Sequence, residues 1–290
     1  MAEAPTPGRR RPPPARLSPQ AIADARGGAR EGLAWLGRAP ESRASILVRV
    51  LRLLARFVCF GLLRFRIRTS GSEHLPRGGY LLVAAAHRGW MDPFVVMHAL
   101  PVEPRAWFLG SAPSTFTSRS RERFVHKVGG LLPVWRGGVT IDQHVESARA
   151  VVGNGGVFVQ MPEGTVSGPA GTTGPFRIGW AVIALRTSAP IVPFAIAGTE
   201  ELYVGRRMAS QVLPVRSVRD FIPDWDGVVP APGSREELDL ARRMTVALED
   251  VLRPVVEALH PETVDPPERR RWLRKRLTWL LLRPGRLDRA

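Results

Sequence analysis

The chain has 290 residues, 42 basic against 26 acidic side chains, a net charge of +16 and one cysteine. That length can bury one sizeable core, and a lone Cys59 excludes an internal disulfide framework and any cysteine-rich zinc site, so a reducing, cytoplasmic setting is expected. The charge sits on the flanks: seven arginines against three acids in residues 1–40, seven against Glu41 in 41–70, and nine basic groups against two acids in 268–290, while residues 71–267 hold 19 basic and 20 acidic groups. A neutral body with basic ends points to docking on something anionic, either lipid headgroups or nucleic acid.

Residues 1–40 form a Pro- and Arg-rich tail that reads as disordered, with a weak helical signal over 20–37. Its early arginines are followed by no apolar stretch of the kind a secretory signal needs. Residues 41–70 contain the most hydrophobic long segment, 44–65, in which Arg49, Arg52 and Arg56 fall on one narrow helical stripe. Three arginines near its centre make a membrane span costly. The pattern fits an interfacial amphipathic helix with its apolar face in the acyl boundary and its arginines at the headgroups. A core-packed helix with water-facing arginines is the alternative.

From Tyr80 onward, short apolar runs alternate with helical patterns. Residues 80–86, 156–160 and 191–197 read as buried strands, and 139–152 and 178–187 as helices. Alternation of this kind predicts an α/β fold, a mixed central β-sheet flanked by helices with an N-terminal amphipathic helix. Residues 223–232 read as a loop and 235–259 as a long amphipathic helix interrupted or ended near Pro254. The last segment, 268–290, combines basic residues with Trp272, Trp279 and leucines, a composition suited to a membrane interface. The predicted division is thus a tail (1–40), an interfacial helix (41–70), a central domain (71–267) and a basic amphipathic tail (268–290).

His87 and Asp92 lie five residues apart directly after the strand at 80–86. The same spacing recurs at His260 and Asp265, but there no strand precedes it and proline flanks it, so context rejects that copy. Five residues along a continuous helix would separate the two side chains by about 140°, so a working pair needs a turn between strand and helix. Gly89 is the residue expected to permit it. Asp92-Pro93 also reads as a helix start with Asp at the N-cap, and on this reading Asp92 only caps a helix while His87 only ends a strand.

Four blocks carry a family resemblance. Ala86-His87-Arg-Gly-Trp-Met-Asp92-Pro-Phe, Leu131-Leu-Pro-Val-Trp-Arg136-Gly-Gly, Val159-Gln-Met-Pro-Glu163-Gly164-Thr165 and Ala189-Pro-Ile-Val-Pro193-Phe resemble, in order, the motifs of the PlsC-like glycerophospholipid and lysophospholipid acyltransferases. The resemblance covers about residues 75–205 and implies the glycerol-3-phosphate acyltransferase-like fold. It implies transfer of a fatty acyl group from acyl-CoA or acyl carrier protein to a lysophospholipid-type hydroxyl, such as that of 1-acylglycerol-3-phosphate. His87 would be the general base and Asp92 its orienting partner. Arg136, Glu163, Gly164 and Thr165 would bind the acceptor and its phosphate, Pro193 would shape the fourth block, and Arg105, Lys127 and Arg177 are auxiliary candidates for the phosphate. Neither a metal nor a cofactor is expected beyond the acyl thioester co-substrate, and the expected partners are a membrane lipid surface at its cytoplasmic face, the acyl donor and the lysolipid.

One departure bears on the acceptor. Family members that use phosphate-bearing acceptors usually carry Arg after the Glu-Gly-Thr triplet, where this chain has Val166. That opens a second version of the activity, with a lipid hydroxyl or amine acceptor that lacks phosphate. From a different class comes a basic protein that binds membrane or nucleic acid without catalysis. Nucleic acid is not expected as a partner, because the basic tails interleave arginine with leucine and tryptophan, only two tyrosines occur and no RNA-binding signature is present.

Overall fold

The computed structural model of the chain describes residues 43–89, 91–111, 130–134, 141–165 and 169–264. The predicted tails at 1–40 and 268–290 lie outside the described residues. In chain order the helices are α1 (Ile46–Arg56), continued by a π-helical turn at Phe57–Leu62, then α2 (Asp92–Ala99), α3 (Ile141–Gly153), α4 (Gly179–Thr187), the short α5 (Val218–Phe221) and α6 (Arg235–Thr263). The strands are β1 (Arg66–Ser70), β2 (Tyr80–Ala85), β3 (Ala106–Ser111), β4 (Leu131–Val134), β5 (Val157–Gln160), β6 (Ile191–Ala197) and β7 (Arg207–Val212). They form one sheet in the order β1-β7-β6-β2-β5-β3-β4, parallel throughout except between β6 and β7. The expected mixed sheet flanked by helices is therefore present.

The central strands explain their own sequences. Every residue of β2, β5 and β6 is buried, as strands covered on both faces require, and such strands read as unbroken apolar runs. Leu81, Val83 and Ala85 of β2 point into one core, shared with Trp180 and Ile183 of α4, Val145 and Ala148 of α3, and Leu248 and Leu252 of α6. Tyr80, Leu82 and Ala84 point into the other, shared with Val95 and Val96 of α2 and with Leu63 and Phe65.

Two expectations need correction. The long C-terminal helix does not end near Pro254; it runs on to Thr263 with Pro254 and Pro261 inside it. A proline in a helix interior costs about 3 kcal/mol. Here Leu252, Val256 and Leu259 on either side of Pro254 are buried against the sheet, and burial of three such side chains, at roughly 1.5–3 kcal/mol each, outweighs that cost. The sheet also begins before residue 71, because β1, inside the segment assigned to the interfacial helix, pairs in parallel with β7.

The helix α1 is present and amphipathic, with Ser45 accepting the Val48 amide at its N-cap. Its apolar face turns away from the protein, so the core-packed alternative with water-facing arginines is not the arrangement observed. Of the arginine stripe, Arg52 turns toward the protein and donates to the carbonyls of Met97, Leu100 and Pro101, while Arg49, though exposed, pairs with Glu103 and Arg56 is exposed. Ile46, Leu47, Val50, Leu53, Leu54, Phe57, Val58 and Leu62 face outward, Ile46 being 81% and Leu53 66% exposed. The helix-end carbonyls of α2 account for the inward Arg52, since guanidinium donors meet that need and leucines cannot.

Candidate active site

The site is built at the C-terminal end of β2. After Ala85 the chain turns at Ala86, whose φ of 72° lies in the left-handed region. For a residue with a Cβ that conformation costs roughly 1–2 kcal/mol, so it needs support. Glu163 supplies it, its Oε1 accepting the amide of Ala86 at 2.7 Å and that of His87 at 3.4 Å. Gly89, expected to make the turn, is not the left-handed residue, and a Cβ placed there would meet no atom within 4 Å.

Asp92 is the first residue of α2, with Met91 at the N-cap, so the helix starts one position earlier than the sequence pattern suggests. Its carboxylate reaches back over the turn instead of capping its own helix. Oδ2 accepts from the Arg88 amide at 2.6 Å, the Gly89 amide at 2.8 Å and His87 Nδ1 at 2.6 Å. The Asp92 side chain is fully buried and that of His87 is 23% exposed, so the imidazole can be reached while its partner is shielded. With Nδ1 committed to a carboxylate that also holds two amides, the Nδ1–H tautomer is favoured and Nε2 is left as the proton-accepting nitrogen. The turn thus brings the pair together, and Asp92 does more than cap a helix.

Glu163 follows β5 and is 2% exposed. Its Oε1 is engaged with the backbone of the His87 turn, and its Oε2 is buried with no hydrogen-bond partner among the described residues. Burial pushes its carboxyl above the ordinary range, against the lowering effect of the amides it accepts and of His87. Gly164 follows in the left-handed region at φ 66°, and a Cβ on it would come within 3.0 Å of Arg177 Cδ. Arg177 closes the turn, donating its amide to the Pro162 carbonyl at 2.8 Å and its Nε to the Glu163 carbonyl at 3.1 Å. Thr165, half-buried, ends this described stretch.

Pro193 sits inside β6 opposite Val83 of β2, and its carbonyl accepts the Leu213 amide at 2.9 Å at the end of the β6–β7 ladder. There its missing N–H removes only the return bond of the last rung. Arg105 is not brought to the site. It precedes β3 at the end of the sheet opposite His87, with its carbonyl bonded to the Val157 amide and its guanidinium 4.3 Å from the Trp107 ring. Lys127, Arg136 and Val166 lie outside the described residues.

A contact that the motif reading passed over is made by Arg88. Its guanidinium donates to the carbonyl and, at 3.4 Å, to Oγ1 of Thr172, tying the His87 turn to the segment that follows the Glu163 turn. Partial burial lowers its pKa, opposed by the nearby carboxylates of Glu163, Glu200 and Asp92. The only cue in the sequence is a basic residue adjacent to His87, which does not say where so long a side chain lands. No group of three His, Cys, Asp or Glu side chains suited to a metal ion occurs among the described residues.

A buried carboxylate orienting a reachable histidine at the end of a parallel strand is an arrangement chemically able to accept and return a proton. Residues 66–197 match the family model "Acyltransferase". The fold is similar to that in the crystal structure of PlsC, the 1-acyl-sn-glycerophosphate (LPA) acyltransferase of Thermotoga maritima, with a TM-score of 0.52 and 21% identity over 73% of this chain and 79% of that one. Uncharacterized proteins of Mycobacterium tuberculosis and Mycobacterium bovis are 31% identical over 151 residues. That match takes in 48% of this chain and only 39% of those relatives.

Proposed function

We propose that the protein is a membrane-surface acyltransferase that moves a fatty acyl group from acyl-CoA or acyl carrier protein to the hydroxyl of a lysophospholipid-type acceptor. The observation that carries this reading is the 2.6 Å contact between His87 Nδ1 and the buried Asp92 carboxylate. In the proposed reaction Nε2 of His87 takes the acceptor's hydroxyl proton while the oxygen attacks the thioester carbonyl. The C–S bond then breaks, and the imidazolium returns the proton to the departing thiolate. Asp92 holds the imidazole and offsets its transient positive charge, and no protein nucleophile is needed. Glu163 serves in this scheme through the backbone of Ala86 and His87, and the acceptor's anionic group falls to Arg136, Thr165 or Arg177.

Membrane association is supported by the outward face of α1 and its π-helical turn. No helix of the described residues is long and apolar enough to cross a bilayer, so the apolar side chains on that face would enter one leaflet from the side. At roughly 1.5–3 kcal/mol for each side chain removed from water, even partial insertion gives firm docking. The acceptor without phosphate remains the second version, favoured by Val166.

The test is thiol release from palmitoyl-CoA with a panel of lysolipids in vesicles, run beside His87→Ala. The expected result is acceptor-dependent release that falls roughly 100-fold or more in the variant. Release within a few-fold of wild type would remove His87 as the base.

A further inference from the structure

Arg52 lies forty residues before Asp92 in sequence, yet it closes the other end of Asp92's helix. Its guanidinium donates to the carbonyls of Met97 and Leu100 and, at 3.0 Å, to that of Pro101. These are acceptors at and just beyond the last turn of α2, which has only eight residues. So short a helix has no central turn free of both ends, and its orientation depends on what holds each terminus. At the first terminus Asp92 grips the His87 turn, and at the last Arg52 grips the carbonyls.

Three further contacts join α1 to this end of α2. Glu103 Oε1 accepts from the Ala44 amide at 3.3 Å and from Arg49. Phe60, in the π-helical turn, packs against the His98 ring of α2 with centroids 4.7 Å apart and the planes tilted by 45°. The same π-helical turn leads into Leu63 and Phe65, which share the core that α2 covers. Burial and the neighbouring Arg56 and Arg52 hold the His98 imidazole below its ordinary pKa, consistent with a neutral ring packed on Phe60.

We infer that Arg52 is a positioning residue for the His87–Asp92 pair, and that seating α1 on a lipid surface fixes α2, and with it Asp92, through the Arg52 contacts. The inference rests on the proposed roles of the pair and of the α1 face. The outward leucines take up lipid while the inward arginine takes up the end of the catalytic helix, so one eleven-residue helix carries both contacts. A bilayer that orders α1 then orders α2, because an arginine held at three carbonyls cannot shift without breaking them.

The test uses the full chain as wild type, Arg52→Gln and Arg52→Lys, with vesicles of phosphatidylcholine and phosphatidylglycerol. Hydrogen exchange of residues 92–100 is measured with and without vesicles, beside vesicle flotation and the kcat and KM of His87-dependent thiol release. Expected for wild type is at least tenfold slower exchange of those amides on vesicles. Arg52→Gln should lose that protection and at least tenfold in kcat, with KM and flotation within about twofold, and Arg52→Lys should recover most of both. Equal protection and kcat in Arg52→Gln and wild type would overturn the inference, as would a kcat loss that only tracks lost flotation. If Arg52→Gln does not fold, Arg52→Lys decides: protection and kcat reduced together by a similar, modest factor while flotation is kept supports it, and loss of vesicle-dependent protection with full kcat overturns it. If wild type shows no His87-dependent release, the catalytic reading fails, and the exchange measurement alone decides the coupling.

Discussion

Oε1 of Glu163 lies 2.7 Å from the amide nitrogen of Ala86, the left-handed residue that turns the chain out of β2. Glu163→Ala would strand the buried Ala86 amide, at roughly 1–3 kcal/mol, remove the longer contact to the part-buried His87 amide, and release the turn that carries His87. Glu163→Gln keeps an acceptor there and should retain the fold. The expected outcome is a large drop in melting temperature and activity for the alanine variant and a small one for glutamine, measured by thermal denaturation and thiol release.

The same carboxyl gives a pH signature. Its folded pKa is raised by burial above the ordinary 4.5, so between those two values the unfolded chain ionises while the folded one keeps its proton. Through that window folding loses stability as pH rises. Glu163→Gln, which cannot ionise, should gain stability relative to wild type as pH rises from 4 to 8, as read by denaturant midpoints. A constant difference across that range would remove Glu163 as the source.

Asp92→Asn replaces an acceptor of three N–H groups by a side chain that can turn donors toward them. With Nδ1 no longer held as the proton-bearing nitrogen, kcat/KM should fall roughly 100-fold or more. The variant should also melt earlier, because the Arg88 and Gly89 amides lose their carboxylate.

On the opposite layer, Arg186 of α4 forms a two-pronged pair with Glu237 of α6, at 2.5 and 2.8 Å, and Glu237 also accepts the Gly233 amide at 2.7 Å. The Arg186 guanidinium depresses the Glu237 pKa, so the contribution is present above the unfolded value near 4.5 and is lost as pH falls through the lower folded value. Arg186→Ala should cost about 3 kcal/mol at pH 7, since it leaves a buried carboxylate unpaired. Urea titrations should show that gap narrowing in acid.

Leu53 and Phe57 are 66% and 62% exposed, so Leu53→Ser with Phe57→Ser should leave the melting temperature within a few degrees of wild type. Vesicle flotation should fall tenfold or more if these side chains enter lipid, given roughly 1.5–3 kcal/mol for each one buried. Unchanged flotation would assign the outward face of α1 some other role.

The readable parts of the fold were those whose surroundings repeat what the side chains say. β2, β5 and β6 are buried on both faces and are apolar at every or nearly every position. β1, Arg-Ile-Arg-Thr-Ser, and β7, Arg-Met-Ala-Ser-Gln-Val, gave no strand signal, because β1 is an edge strand with exposed arginines and β7 owes its place to pairing with β6 and β1. β4 has four residues and a proline. In α1 the arginine stripe was visible, but periodicity shows only that two faces differ and not which one meets the protein; the carbonyls of Met97 and Leu100 decide that. Likewise His87 and Asp92 were legible as a pair, whereas the left-handed residue between strand and pair was Ala86, a type with no local preference for that conformation.

Among the described residues, β1 has one strand neighbour, β7, and that neighbour begins at Arg207. The family-matched stretch ends at residue 197, ten residues before it. A fragment cut to that stretch would begin with a strand that has nothing to pair with, and would expose the flank of β6 as a row of open amides and carbonyls, a template for other chains. Its other face would lack the α6 residues Leu248 and Leu252. The smallest piece that can stand alone therefore reaches to about Thr263, and sequence families drawn around the motifs underestimate the foldable unit by roughly a third of its length.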